Sequence, residues 1–224
     1  MAVTVRQNLQ EIGQAWKANL GAMLGFGLLA VLIQVGAGYL IGEPLFGDFQ
    51  SEVPESWPMR AVDVATTTAL TILFAPRVLP SIKAVPYNRF FAVLAIDVVT
   101  SLAVGMGLAL LIIPGIILAV IFAAAGPLAL DRGVDEALTQ SIRLGWGRFW
   151  WVLGTTCLVF LAVLGFGLIA LVTFFALGPS HPALLVSALP FLIVAGPGLT
   201  IARLVTARNL EGVRVAPDVV AAFD

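Results

Sequence analysis

Apolar residues run along this chain in long, nearly unbroken stretches. A membrane-spanning helix takes ~20 mostly apolar residues, and the pattern predicts six spans: 20–42, 62–79, 90–112, 114–130, 152–177 and 183–205. The second is the most diluted, with Asp63, Thr66, Thr67 and Thr68 near its outer end. The third and fourth are joined by "IIPGII". Pro114 has no N–H to donate and fits the first turn of a helix, where that donor would be unpaired anyway. Gly115 lets the chain turn tightly. Together they predict a hairpin; one long helix kinked at Pro114 is the alternative.

Two stretches follow a different rhythm. In 134–150, Val134, Leu138, Ser141, Ile142, Gly145 and Phe149 gather on one side of a helical wheel, and Glu136, Thr139, Gln140, Arg143 and Gly147 on the other. In 3–19, Val5, Leu9, Ile12 and Trp16 lead along one face to Leu20, opposite Arg6, Gln7, Gln10, Gln14 and Lys17. Both patterns are amphipathic helices. Each precedes a span directly, which predicts a helix lying in the membrane interface, although basic amphipathic helices also serve as targets for soluble partners. Trp16, Trp146, Trp150 and Trp151 mark the depth at which an apolar ring and a polar N–H are both accommodated.

A shift of 129 residues superimposes parts of the chain. Val5 meets Val134, Leu9 meets Leu138, Leu24-Gly25 meets Leu153-Gly154, and "LTI" at 70–72 meets "LTI" at 199–201. The implied unit, over about 5–79 and 134–206, is interfacial helix, span, outer loop, span, used twice in one orientation around a central hairpin. Parallel repeats of this kind occur in transporters and also arise by duplication without transport.

Composition sharpens the class. The chain is 60% hydrophobic and 11% charged, against ~45–50% and ~25% for a soluble domain, with a mean hydropathy of +1.02. Too few charged side chains are present to cover a soluble surface, so the expectation is a single all-α polytopic membrane domain over 1–224, solvated by lipid. A net charge of −1 without a basic tail argues against a nucleic-acid partner. Cys157, the single cysteine, permits no intramolecular disulfide and reads as a small buried hydrophobe. Residues 1–19 lack the h-region of a cleavable signal, so the first apolar run is expected to remain as a membrane helix.

Charge then sets the orientation. With the N-terminus in the cytoplasm, eleven of the twelve Lys and Arg fall inside and Arg60 alone outside. Loop 43–61 carries Glu43, Asp48, Glu52 and Glu55. Cytoplasmic loops retain Lys and Arg, which predicts both termini inside.

Residues 110–154 carry a more specific pattern. An apolar run, Pro114-Gly115, a second run and the turn Asp131-Arg132-Gly133 are followed by Ala137-Leu138, Ser141 and the Arg/Trp-rich approach Arg148-Phe149-Trp150. This resembles the YciC-like inner-membrane proteins and the membrane domain attached to some glycerophosphodiester phosphodiesterases. The match is sharp over about 45 residues and architectural elsewhere. Ile121 departs from it, standing where relatives often carry a basic residue. The resemblance implies a polytopic bacterial inner-membrane protein without the soluble phosphodiesterase domain, so no catalysis is carried over.

Parts for a catalytic site are scarce. His181 is the single histidine, in an expected outer turn, which argues against a His metal site or triad. "GMGLAL" at 105–110 lacks the residues of a phosphate loop. Gly21 and Gly25, like Gly38 and Gly42, are spaced for helix packing. No catalytic, cofactor or metal site is expected. Intramembrane charge is more informative. Asp97 lies inside the third span, Arg77 near the cytoplasmic end of the second, and the two are expected to pair; a proton-coupled carboxylate lining a cavity and a carboxylate simply reaching water are the alternatives. Gln34 is expected to hydrogen-bond a neighbouring helix. Arg143, Trp146, Arg148, Trp150, Trp16 and Lys17 are candidate contacts for lipid headgroups. Three functions stay open: a non-enzymatic protein organising the envelope or handling lipids, a small transporter or channel using Asp97, and an intramembrane enzyme whose acidic residues the sequence does not supply. Membrane lipids are the expected partners, with homo-oligomerisation open.

Overall fold

The computed structural model describes residues 3–41, 57–79, 81–82, 85–178 and 181–212. The acids Glu43, Asp48, Glu52 and Glu55, the bases Lys83 and Arg214, Gly42, and the side chain of His181 lie outside the described residues. The described chain is all-helical: α1 Val5–Ala18, α2 Leu20–Ile41, α3 Trp57–Val78, α4 Tyr87–Leu110, α5 Ile112–Ile121, α6 Ala125–Leu128, α7 Val134–Gly147, α8 Phe149–Leu177 and α9 His181–Gly212. Five of these, α2, α3, α4, α8 and α9, contain segments long and apolar enough to cross a membrane.

α9 is the axis of the bundle. α1 reaches it where the Trp16 indole donates to the Gly198 carbonyl at 3.0 Å. α2 reaches it at Gly27, where an added Cβ would overlap the Ile193 carbonyl oxygen. Pro197 supplies no N–H to that carbonyl, and the bare Cα of Gly27 packs against it. Gly21 and Gly25, expected at a helix contact, face open space instead. α3 meets α9 at Leu70 against Gly196 and through Arg208, which donates to the Val78 carbonyl at 3.2 Å. α8 meets it at Gly167 against Phe191. Between α2 and α3, Gln34 donates to Asp63 at 2.8 Å, a neighbouring-helix bond of the kind its sequence position implies.

The expected fourth span is not one helix. The 17-residue stretch Ile112–Leu128 divides into α5, a turn at 122–124 and α6. Pro127 falls in the first turn of α6, where a ring that would crowd the carbonyl four residues back in a continuous helix is tolerated. Of the carbonyls freed at the break, Ile121 accepts the Ser141 hydroxyl at 2.7 Å.

Leu111, extended at φ −159° and ψ 142°, makes the turn before α5. Pro114 follows in the first turn, as its missing donor requires, but Gly115 does not turn the chain. It lies against α4, where a Cβ would overlap the Leu108 side chain, and a Cβ on Gly107 would come within 2.9 Å of the Gly115 Cα. At the opposite end of the hairpin, Arg89 donates to the carbonyls of Arg132 at 2.6 Å and Asp131 at 3.4 Å. The returning segment therefore runs antiparallel along the length of α4.

α7 is amphipathic, but its inward face is rotated from the expected one. Gln140 is buried and Ile142 is exposed. The face turned inward is built from Ala137, Gln140, Ser141, Leu144 and Gly145. At Gly145 a Cβ would fall 2.8 Å from the Ile121 Cα, so small residues, not large apolar ones, set this contact. Cys157 is exposed on the outer face of α8, not buried.

The boundaries carry a regularity of their own. α1 and α7 are each 14 residues long and begin 129 residues apart, at Val5 and Val134. α2 and α8 also begin 129 apart, at Leu20 and Phe149. The most buried positions of α1, Asn8 and Ile12, correspond under this shift to buried Ala137 and Ser141.

The α2–α9 contact yields a paired test. Gly27→Ala forces the two backbones apart and is expected to destabilise by at least the ~1–3 kcal/mol of ordinary overpacking. Gly25→Ala, facing open space, is expected to leave the detergent-solubilised thermal midpoint unchanged. Equal midpoints for the two variants would show that α2 is not held at Gly27.

Candidate functional site

Two polar centres and one surface elbow contain most of the chemistry-bearing side chains. The deepest centre is Asp97, 4% exposed in the middle of α4. Its Oδ2 accepts the Thr68 hydroxyl at 2.9 Å, and its Oδ1 pairs with Arg203 Nη2 at 3.4 Å. Gly126 of α6 closes the site: a Cβ there would fall 2.9 Å from Asp97 Oδ1 and 3.3 Å from Arg203 Nη2. Four helices thus converge on one carboxylate.

The expected pair of Asp97 with Arg77 is not formed. Thr68, level with Asp97, precedes Arg77 by nine residues, which places Arg77 about 14 Å nearer the helix end at ~1.5 Å per residue. Arg77 instead donates to the Leu73 carbonyl at 2.8 Å and lies 5.1 Å from the Phe26 ring centroid. Arg203 matches the depth of Asp97. It lies nine residues before the end of α9, and Asp97 ten residues after the start of α4. That count could have identified the partner, had the sixth apolar run been extended past 205 to where α9 ends at Gly212.

A second centre docks α1. Asn8, fully buried, donates toward Thr155 at 3.4 Å and Thr206 at 3.2 Å, and accepts from Asn209 at 2.7 Å. Glu11 accepts from Arg208 at 2.6 Å and from Asn209 at 2.8 Å. Helical periodicity weighted by hydrophobicity passes over such a face, because its inward residues are polar. Trp16 accordingly does not offer its N–H to a headgroup; the half-buried indole is bonded to Gly198, because α1 leans on α9 and does not lie free in the interface. Lys17, one residue on, is exposed.

The elbow joins α7 to α8. Arg148 alone separates the two helices, with φ −134° and ψ 33°, while its carbonyl already accepts from Trp151 and Val152 of the next helix. Around it Phe149 makes edge-on contacts with Trp146 at 6.2 Å and Trp150 at 5.4 Å between ring centroids. Trp146 is 65% and Trp150 80% exposed. These residues, with Ile117 and Trp151, line an open recess of about 530 Å³. Trp151 Nε1 is buried there without a protein partner.

The cations divide cleanly. Arg77, Arg89, Arg132, Arg203 and Arg208 are all bonded to carboxylates or backbone carbonyls; Arg132 alone holds Glu136 and Glu211 at 3.0 Å each and also meets Gln140. Among the described residues, Arg6, Lys17, Arg143 and Arg148 have no such partner. All four belong to α1 or to the α7–α8 elbow. The described residues contain no group of His, Cys, Asp and Glu able to hold a metal. No family model, curated protein or solved structure matches the chain.

The Asp97 centre predicts an asymmetric mutational cycle. Arg203→Ala leaves a buried carboxylate with only Thr68, whereas Asp97→Ala leaves an arginine whose side chain is 33% exposed. Arg203→Ala is expected to destabilise more, by about 2–4 kcal/mol, a buried pair's penalty lowered for that exposure. Adding Asp97→Ala should recover part of the loss, and Arg77→Ala should not couple to either. Thermal unfolding in detergent measures all four; additive effects of Asp97→Ala and Arg203→Ala would show that the pair does not form.

Proposed function

We propose that this chain is a non-enzymatic, polytopic bacterial inner-membrane protein that handles lipids or organises the envelope by holding anionic headgroups at the α7–α8 elbow. The observation that carries the reading is the division of the cations. Arginines within the bundle are bonded to protein, while Arg143 and Arg148 are left unpaired beside two exposed tryptophans. An unpaired guanidinium next to an indole belongs at a lipid–water boundary, where each basic residue contributes ~1 kcal/mol toward anionic lipid.

Six crossings with both termini cytoplasmic complete the proposal. Supporting the sixth is the course of residues 111–132, which return along α4 from Gly115 beside Gly107 to Arg132 beside Arg89. α5 and α6, 10 and 4 residues long, are joined by a turn at 122–124, so the return is a broken segment and not one continuous helix. A duplicated unit is supported by the common 129-residue offset of α1 with α7 and α2 with α8. The YciC-like resemblance is part of the same proposal. In it, Ser141 bonds the broken helix at Ile121 and Pro114 opens α5. A transporter or channel using Asp97 gains no support, since that carboxylate is closed in by Thr68, Gly126 and Arg203.

Native mass spectrometry of an Arg143→Ala, Arg148→Ala variant tests the elbow. Phosphatidylglycerol retention is expected to fall by about fivefold for each charge removed, with phosphatidylcholine retention unchanged. Undiminished phosphatidylglycerol retention would refute headgroup recognition there. For the topology, cysteines placed within 43–56 should react with an impermeant reagent added outside intact cells; protection there and reaction only from the cytoplasmic side would refute the orientation.

A further inference from the structure

α2 and α8 both pack on α9 but flank a groove between them. Its volume is about 530 Å³, within the ~300–1,000 Å³ of small-molecule sites. α9 forms the floor through Phe191, Val194 and Gly198, and α8 contributes Val163, Phe166 and Ala170 to one wall. Apolar side chains dominate the lining, and Lys17 is its only charged residue among the described ones. Among the described residues Lys17 has no carboxylate or carbonyl partner.

The groove has a defined direction and length. At one end Trp16 and Lys17 of α1 form the mouth, and at the other lie Thr173 and Ser187. From Gly198 to Ser187 along α9 is eleven residues, about 16 Å at ~1.5 Å per residue. That is close to half of a ~30 Å hydrocarbon core, the depth of one leaflet. Trp16 is fixed at the mouth by its bond to the Gly198 carbonyl, and its ring packs over the groove floor, where a Cβ on Gly198 would lie 3.6 Å from it. A second copy of the chain or a transmembrane peptide would extend through both leaflets and would not require a lone cation at one end. A single lipid matches both features.

We propose that this groove holds one acyl chain of an anionic glycerophospholipid from the cytoplasmic leaflet, with its phosphate at Lys17. The proposal rests on the reading of α1 as a cytoplasmic helix and of the bundle as lipid-solvated, but not on headgroup binding at the elbow. The α1–α2 corner and the α7–α8 elbow are then separate lipid contacts on the same membrane face. One admits a chain between helices; the other engages a headgroup at the surface.

The test counts phosphatidylglycerol molecules retained by the intact 224-residue chain in native mass spectrometry. Ala170→Trp fills the groove, Val194→Trp fills it from the floor, and Lys17→Glu reverses the charge at its mouth. Each filler is expected to remove one retained phosphatidylglycerol. Lys17→Glu should weaken that molecule by about fivefold or more while leaving phosphatidylcholine retention unchanged. The Arg143→Ala, Arg148→Ala variant should keep it. Circular dichroism and gel filtration verify folding, and if the fillers do not fold, exposed Lys17→Glu decides the outcome. An unchanged count in a folded filler overturns the groove site even where the elbow variant loses lipid, so the two readings fail separately. Loss of a dimer in place of a lipid assigns the groove to a second copy and also overturns the proposal. Unchanged affinity in Lys17→Glu overturns the anionic assignment.

Discussion

A carboxylate buried inside a helix bundle has to be met by protein groups, because an unpaired buried charge is costly. Asp97 meets that requirement by gathering Thr68 from α3, Arg203 from α9 and the bare face of Gly126 from α6. Each partner arrives at the depth set by its own helix. α9 continues far enough to place Arg203 nine residues from its end, and the returning hairpin breaks just before Gly126. Moving any one of these helices by a turn, about 5.4 Å, would separate the charges. The axial register of the bundle is thereby tied to one ion pair.

Lateral packing follows a second rule, that close approach depends on missing side chains or missing donors. Gly27 rests on the carbonyl left without an N–H by Pro197, and Gly145 rests on the end of α5. Ser141, four residues before Gly145, donates to the Ile121 carbonyl at the break before Pro127. In each case a proline or a helix end exposes backbone, and a small residue of a neighbouring helix covers it. Interfaces of this kind allow helices to pack tightly where lipid is as apolar as leucine and hydrophobicity gives little preference for protein over lipid.

That distinction explains what was readable from the chain. Long apolar runs located α2, α3, α4, α8 and α9, since burying length is a property of the run itself. Amphipathic spacing located α1 and α7 for the same reason. Interior faces were harder to read. Asn8 and Gln140 are buried because specific partners await them, Thr155, Thr206 and Asn209 for one and Arg132 for the other. Hydrophobicity turns such residues outward, and only the tertiary contacts turn them back. Arg203 was hidden by similar logic: an arginine near the end of an apolar run looks like a cytoplasmic marker, until α9 continues beyond it. At the elbow, Arg143, Arg148, Trp146 and Trp150 were legible because their sequence signal and their exposure agree.

The two populations of arginine therefore answer different demands. Those inside the bundle fix geometry, and their neighbours supply every acceptor they use. Among the described residues, the four cations without such a partner lie on α1 and at the elbow, on helices with the same length and the same spacing from the long helix that follows. Under the 129-residue offset none of these cations meets another cation, and the two places differ in what surrounds them. At α1 the polar face is bonded into α9, leaving Lys17 over an apolar groove; at α7 the small face is pressed on α5, leaving two arginines among exposed rings. In a protein so sparing of charge, cations without a protein partner stand out among the described residues. On a bundle with five membrane-length apolar helices, anionic headgroups are the partners we propose for both places.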